Sequence, residues 1–193
     1  MIKLSKGQQL YLLRIIIILI YLISAYTLVN FFPSGHVTLQ QTTALIAVPS
    51  STSIVKGNTL SVVINASNYQ NLYAYQFDLN YNPSVLRFKS LAFYDALGDI
   101  ASGGEFCIPQ EQLIKEPGRI GNIVCTRTIS GSASGSSSLA MLNFDTIGFG
   151  TSNLTINNSI LVSSDLQAIP HIINNGSVSV VKSLPKSRRG SGK

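Results

Sequence analysis

The residues after Pro33 follow one pattern that restricts the fold more than any other feature of the chain. Short runs rich in Val, Ile, Thr, Tyr and Phe are separated by Gly, Asn, Ser and Pro. No stretch of this part shows the period of about 3.6 residues that is typical of an amphipathic helix. Such runs between turn-forming residues are typical of β-strands. We therefore predict an all-β domain of about eight or nine strands, arranged as a sandwich or jelly roll.

The clearest predicted strand covers residues 72–81, where two kinds of side chain alternate. The odd positions are large and mostly aromatic: Tyr73, Tyr75, Phe77, Leu79 and Tyr81. The even positions are smaller or more polar: Leu72, Ala74, Gln76, Asp78 and Asn80. Successive side chains of a strand point to opposite faces, so we expect the odd set in the core and the even set outside. The even set is the predicted binding surface.

The first 33 residues are predicted to be a signal anchor or a signal peptide. Lys3, Lys6 and Arg14 precede the apolar run 15–23, and apolar residues continue to Phe32. In one interpretation residues 10–32 form a single membrane-spanning helix. In the other, residues 15–23 are the apolar part of a signal peptide that is cleaved after Ser24-Ala25. Both interpretations place the β domain outside the cytoplasm, attached to the cell membrane in the first case and secreted in the second.

The predicted organisation is therefore an anchor or signal at 1–33, a juxtamembrane linker at 34–43, the β domain at 44–182 and a basic tail at 183–193. Eight of the 14 basic residues lie in the two ends of the chain. The segment between Pro33 and Val181 has six basic and eight acidic residues, so it offers no basic face to nucleic acid. We expect the tail to be disordered, acting either as a contact to anionic polymer or lipid or as a solubilising end.

Cys107 and Cys125 are the only cysteines, and an even count outside the cytoplasm favours one disulfide over two free thiols. No zinc-binding spacing accompanies them, so we predict no metal site. Four sequons for N-glycosylation are present, at Asn65, Asn153, Asn157 and Asn175.

The stretch 44–181 resembles a cohesin domain, the scaffold module that receives dockerins. The matching segments are 55–60, 72–86, 139–144 and 174–180, in the family's order and near its spacing. The resemblance implies a nine-stranded jelly roll and a docking role on an exposed sheet face. The family's Asn and Asp on this face correspond to Ala74 and Gln76 here, so the familiar polar contacts are replaced.

Residues suited to catalysis are few. The histidines are His36 and His171, and no nucleophile elbow accompanies either of them. The carboxylates of the loop-rich middle segment are expected to lie on a solvated surface: Asp95, Asp99, Glu105, Glu111 and Glu116. We therefore predict a non-catalytic module without a cofactor.

Three functions remain open from the sequence. The first is docking or adhesion to a protein partner at the cell surface. The second is polysaccharide binding, with Tyr69 and Tyr94 as exposed rings on which sugars stack. The third is a subunit of a surface filament, in which residues 32–48 pair with a neighbouring copy.

Overall fold

The computed structural model describes residues 42–183, and they form an all-β domain. Its strands are β1 (Ala44–Val48), β2 (Thr52–Val55), β3 (Thr59–Asn80), β4 (Leu86–Phe93), β5 (Glu105–Cys107), β6 (Ile114–Glu116), β7 (Arg119–Arg127), β8 (Ala133–Thr146), β9 (Gly150–Ser163), β10 (Ile172–Asn174) and β11 (Gly176–Val181). A single 3₁₀ turn covers Gln110–Gln112. No helix within 42–183 is long and apolar enough to cross a membrane. The predictions for the anchor 1–33, most of the linker and nearly all of the basic tail lie outside the described residues.

Strand β3 is 22 residues long and belongs to both layers of the sandwich. Its first part pairs with β1 and β8, and its last part pairs with β7 and β9. The bend between them contains Asn68 and Asn71, which have φ values of 55° and 56°. Asn tolerates this left-handed region better than most residues, so the chain can turn a corner without a break in the strand.

The pairings define two layers. The first has the order β10-β1-β3-β8-β4, and the second has the order β2-β11-β9-β3-β7, with β5 and β6 both paired to the free side of β7. The described residues thus contain eleven strands, more than the eight or nine expected. The difference arises because β5, β6 and β10 have three residues each, too few to show a pattern.

The core lies between the layers. On the second layer it includes Tyr75, Phe77 and Leu79, as the alternation predicted. Tyr73 and Tyr81, expected there too, are only partly buried. Burial raises the pKa of Tyr75, with a smaller contribution from the charge of Glu105, and the Tyr75 hydroxyl donates to the carbonyl of Leu139 at 3.1 Å.

Strand β1 is paired on both edges over most of its length. Residues 44–48 pair antiparallel with β3, and residues 44–46 pair parallel with β10. The prediction that residues 32–48 pair with a neighbouring copy is therefore wrong for 44–48, because both edges of that strand are occupied over most of its length. Residues 32–41 lie outside the described part.

Candidate functional site

The outer face of the β5-β7-β3-β9 sheet is the surface that the resemblance points to, and we call it the outer face. Ala74 and Gln76 lie at its centre, half-buried. Ala74 is opposite Thr126 of β7 and Val162 of β9, and Gln76 is opposite Val124 and Ile160. The outward position predicted for Ala74 and Gln76 agrees with this arrangement.

Two of the predicted surface residues are buried. Leu72 is inside the core, because the register of the β3–β9 pairing shifts between Leu72 and Ala74 and changes the alternation there. Asp78 is only 2% exposed, since side chains and backbone of both neighbouring strands surround its carboxylate. Asn80, the last of the set, is half-buried at the end of β3.

Asp78 is the centre of a hydrogen-bond network that joins three strands. Its carboxylate accepts bonds from Nε and Nη2 of Arg119 at 3.2 and 2.9 Å and from the backbone N–H of Asn122 at 2.9 Å. Asn158 Nδ2 of β9 donates at 2.6 Å. Burial alone would raise the pKa of Asp78, but these hydrogen bonds and the charge of Arg119 outweigh it and lower that pKa.

A β-bulge on each side directs these donors at Asp78. In β7 two residues, Gly121 and Asn122, stand opposite one residue of β3, and in β9 the same occurs at Asn158. Asn122 and Asn158 have φ values of 63° and 49°, in the left-handed region that Asn tolerates. Bulges change the direction of side chains in this way, so the Asp78 network depends on how β7 and β9 pair with β3.

The part of the outer face around Ala74 and Gln76 is apolar. Phe106 of β5 is 55% exposed and Ile160 of β9 is 47% exposed. Val124 and Val162 are partly buried between them. We call these four residues the apolar strip. They lie on β5, β7 and β9, and Ala74 and Gln76 of β3 lie between them.

The disulfide predicted between Cys107 and Cys125 is present, with the two Cα atoms 4.1 Å apart. It links β5 to β7 at paired positions and so fixes Phe106, the neighbour of Cys107, at the edge of the sheet. Both sulfurs and Glu105 lie within 4.8 Å of one another, but bonded sulfurs are not thiolates and do not bind a metal.

A cleft of about 450 Å³ opens between the free edges of β4 and β5. Its walls are mainly apolar: Leu91, Phe93, Ile100, Phe106, Ile108 and Pro109. The side chain of Gln110 covers part of the β4 edge, since its Oε1 accepts the N–H of Leu91 at 2.7 Å. The edge is thus partly protected against pairing with another strand.

Four of the five carboxylates of the middle segment accept hydrogen bonds within the described residues. Asp95 and Asp99 each accept a backbone N–H of their own loop, and Glu116 pairs with Arg119 at 3.2 Å. Glu105 was expected at the surface but is buried, and its Oε2 accepts the N–H of Leu97 at 2.9 Å. Burial raises the pKa of Glu105, and hydrogen bonds from the loop backbone only partly offset this.

Only one of the two predicted stacking rings is exposed. Tyr94 is 39% exposed, whereas Tyr69 is 3% exposed and its hydroxyl is 2.8 Å from Oγ of Ser137. Tyr69 lies inside the bend of β3, where the chain direction turns its ring inward. The prediction that both rings form a stacking platform is therefore wrong.

The four sequon asparagines differ in accessibility. Asn153 and Asn175 are exposed, and Asn65 and Asn157 are half-buried. The Oδ1 of Asn175 accepts the N–H of Ile156 at 2.9 Å, so this side chain is already engaged. Asn153 is exposed, and its side chain makes no hydrogen bond within 42–183.

Sequence reasoning missed several residues of this face. Arg119, Asn122 and Asn158 complete the Asp78 network, and Phe106 and Ile160 form most of the exposed apolar area. The histidine His171 lies beside β9, where its Nε2 is 2.8 Å from Oγ of Ser159 and its Nδ1 is 2.9 Å from the carbonyl of Ile169. The Pro117-Gly118 turn before Arg119 was the available signal for the β6-β7 hairpin.

The described residues thus form a two-layer β-sandwich with a partly apolar face on one of its sheets. The chain belongs to the cohesin-domain family, since the family model described as Cohesin domain matches residues 46–180. No curated protein sequence matches this one.

Several solved cohesins share the fold. The cohesin CaCohA2 from Clostridium acetobutylicum is 23% identical, with a TM-score of 0.60 over 77% of this chain and 96% of that one. A non-cellulosomal cohesin from the hyperthermophilic archaeon Archaeoglobus fulgidus is 20% identical, with a TM-score of 0.57 over 72% and 91%. The OlpC cohesin of Clostridium thermocellum, solved with the dockerin Doc435, is 12% identical, with a TM-score of 0.59 over 72% and 93%.

Proposed function

We propose that this cohesin domain is a docking module that binds a dockerin-type protein partner through its outer face. The apolar strip is the observation that carries this proposal. The centres of protein interfaces are apolar and rich in aromatic residues, and Phe106 and Ile160 supply such a centre on a rigid sheet. Structural neighbours solved in complex with dockerins support the type of partner.

The centre of the outer face indicates the chemistry of the partner. Ala74 is small, Gln76 is uncharged, and Val124 and Ile160 flank Gln76 on both sides. The charge of Asp78 is enclosed and paired with Arg119, so it is not offered to a partner. The face is suited to a partner that presents an apolar surface with one polar group opposite the Gln76 amide.

The site of action that we propose is the outside of the cell membrane, with residues 10–32 as the anchor. The Cys107–Cys125 disulfide supports this location, because disulfides persist in oxidising compartments. Extraction of native membranes with alkaline carbonate tests the anchor. A protein that stays in the membrane pellet and is cleaved by protease added outside the cell agrees with the proposal, and release into the supernatant contradicts it.

Binding to a panel of calcium-loaded dockerins tests the docking function directly. The panel contains those encoded in the same genome and the dockerin of the C. acetobutylicum complex, each immobilised and titrated with the full-length chain in detergent. We expect at least one dockerin to bind with a Kd of about 1 µM or below. Absence of binding to every member of the panel contradicts the proposal.

A further inference from the structure

Two lysines and an exposed aromatic ring lie together at one end of the sandwich and belong to neither the outer face nor its apolar strip. Nζ of Lys56, in the turn between β2 and β3, is 5.0 Å from the centre of the Phe149 ring. Nζ of Lys182, which directly follows β11, is 5.8 Å from the same centre. Both lysines are exposed, and Phe149 is 52% exposed. We call Lys56, Phe149 and Lys182 the basic cluster.

Backbone hydrogen bonds join the chain segments that carry the basic cluster. The N–H of Lys56 donates to the carbonyl of Val181 at 3.1 Å, directly before Lys182. The N–H of Gly57 donates to the carbonyl of Thr146 at 3.0 Å, at the start of the turn between β8 and β9 that carries the ring. The three side chains therefore project from segments that are fixed to one another.

Neither lysine of the basic cluster has an acidic partner. No carboxylate within 42–183 lies within ion-pair distance of either Nζ, and the residues outside that range contain no Asp or Glu. Asp145 is the only acidic residue within ten positions of the cluster along the chain, and it already pairs with Arg87 and Lys89. Four further basic residues follow Lys182. The positive charge at this end is thus not offset by the chain itself.

The side chains select a ligand that is both acidic and partly apolar. The ammonium group of lysine is a compact charge suited to carboxylate or phosphate groups. The exposed ring of Phe149 and the nearby Ile147, which is 38% exposed, favour contact with an apolar surface. A small inorganic anion would use the lysines but not the ring. A polysaccharide of uronic acids offers both parts, because each of its sugar rings has an apolar C–H face and a carboxylate.

The basic cluster lies far from the point where the chain enters the domain. Oγ1 of Thr43 donates to the carbonyl of Asn68 at 3.1 Å, in the bend of β3. Lys56 instead precedes the start of β3 at Thr59, so the entry and the cluster are at opposite ends of the first part of that strand. This separation favours a polymer outside the cell over the lipid of the membrane that we propose to hold residues 10–32.

We propose that the basic cluster binds an acidic polysaccharide of uronic acids, with carboxylates at Lys56 and Lys182 and a sugar ring against Phe149. The basic residues after Lys182 extend the positive charge available to the same polymer. Exposed ion pairs are individually weak and are screened by salt, so the affinity depends on several carboxylates acting together. The choice of an extracellular polymer rests on the proposed location outside the membrane, whereas the site itself does not depend on dockerin binding.

Fluorescence anisotropy with the full-length chain in a nonionic detergent tests the proposal. The probes are end-labelled decasaccharides of galacturonic acid and of glucuronic acid, with a neutral dextran of the same length for comparison. We expect at least one acidic probe to bind and the dextran not to bind, with a Kd that rises about tenfold between about 50 and about 300 mM NaCl. Lys56→Gln and Lys182→Gln should each weaken binding about fivefold at the lower salt concentration. Phe149→Ala should weaken binding at both salt concentrations, because the contact that it removes is apolar.

Lys115→Gln is the matched control, because Lys115 is an exposed lysine of β6, at the opposite edge of the layer from β2. This variant should bind the acidic probes like the original chain, and circular dichroism checks that all variants are folded. Absence of binding to both acidic probes overturns the proposal, as does an equal loss in Lys115→Gln and Lys56→Gln. Tighter binding to anionic lipid vesicles or to single-stranded DNA than to either polysaccharide also overturns it. Dockerin binding should be unchanged in these variants, so failure of this proposal leaves the docking function in place.

Discussion

Asp78 of β3 and Arg119 of β7 form a two-point ion pair across the sheet, with Oδ2 of Asp78 2.9 Å from Nη2 and 3.2 Å from Nε of Arg119. The remaining oxygen accepts the backbone N–H of Asn122. The carboxylate is therefore enclosed by donors from both neighbouring strands. Its role is to hold β3, β7 and β9 in register beneath the apolar strip, and this role gives measurable consequences.

Replacing Asp78 removes the acceptor on which these donors converge. In Asp78→Ala the backbone N–H of Asn122 and the amide of Asn158 lose their partner, so we expect the free energy of unfolding to fall by about 2 kcal/mol. Urea denaturation of both proteins measures the difference. Asp145→Ala is the matched control, because Asp145 pairs with Arg87 at the solvated surface and such pairs contribute little. Equal losses in the two variants would show that the Asp78 network stabilises the fold no more than a surface ion pair does.

The pKa of Asp78 predicts a dependence of stability on acid. Its pKa is lowered in the folded state, so the unfolded chain binds the proton more readily near and below the ordinary value of 3.8. Stability from this group is complete above that pH and is lost as the pH falls through the folded pKa. We expect the free energy of unfolding to decline less steeply between about pH 6 and about pH 2 in Asp78→Asn than in the original protein. Identical slopes would refute this assignment.

The pKa of Glu105 predicts the opposite sign. It is raised above its ordinary value of 4.5, so the folded state binds the proton more readily than the unfolded chain. The contribution of Glu105 to stability is therefore greatest at low pH and declines as the pH rises through the folded pKa. Glu105→Gln should remove this decline from the curve of unfolding free energy against pH. Asp99→Asn, in the exposed part of the same loop, should leave the decline unchanged.

The sequence predicted the fold at the level of its layers but not the buried hydrogen-bond network of Asp78. The alternation at 72–81 was sufficient to place Tyr75, Phe77 and Leu79 in the core, and the even count of cysteines was sufficient to suggest the disulfide. The role of Asp78 was not visible, because its partners Arg119 and Asn158 are 41 and 80 positions away and meet it only through two bulges. A bulge adds one residue to a strand, and its position depends on pairing with strands that are distant in sequence. The burial of Tyr69 depends in the same way on a bend that no local periodicity marks.

The disulfide should stabilise the domain and hold Phe106 in the sheet. Cys107 and Cys125 are 18 positions apart, and closing a loop of this length in the unfolded chain contributes about 3 kcal/mol. We expect the double variant Cys107→Ser and Cys125→Ser to lose stability of this order in urea denaturation. Reductant should lower the stability of the original protein similarly and leave that of the double variant unchanged. A protein that is equally stable with and without reductant would contradict this expectation.

The last prediction concerns the apolar strip, which is the basis of the docking proposal. A carboxylate placed at Ile160 or Phe106 would be desolvated by an apolar partner without gaining a counter-charge, so Ile160→Asp and Phe106→Asp should each weaken binding to a dockerin that binds the original chain by about 30-fold or more. Both side chains are about half exposed, so the folded state should tolerate the changes, and thermal unfolding checks this. Tyr94→Asp is the matched control, because Tyr94 is 39% exposed, directly follows β4 of the other layer and donates its hydroxyl to Sδ of Met141 in β8. Strong loss of binding in Tyr94→Asp with retention in Ile160→Asp would move the docking surface to the other layer.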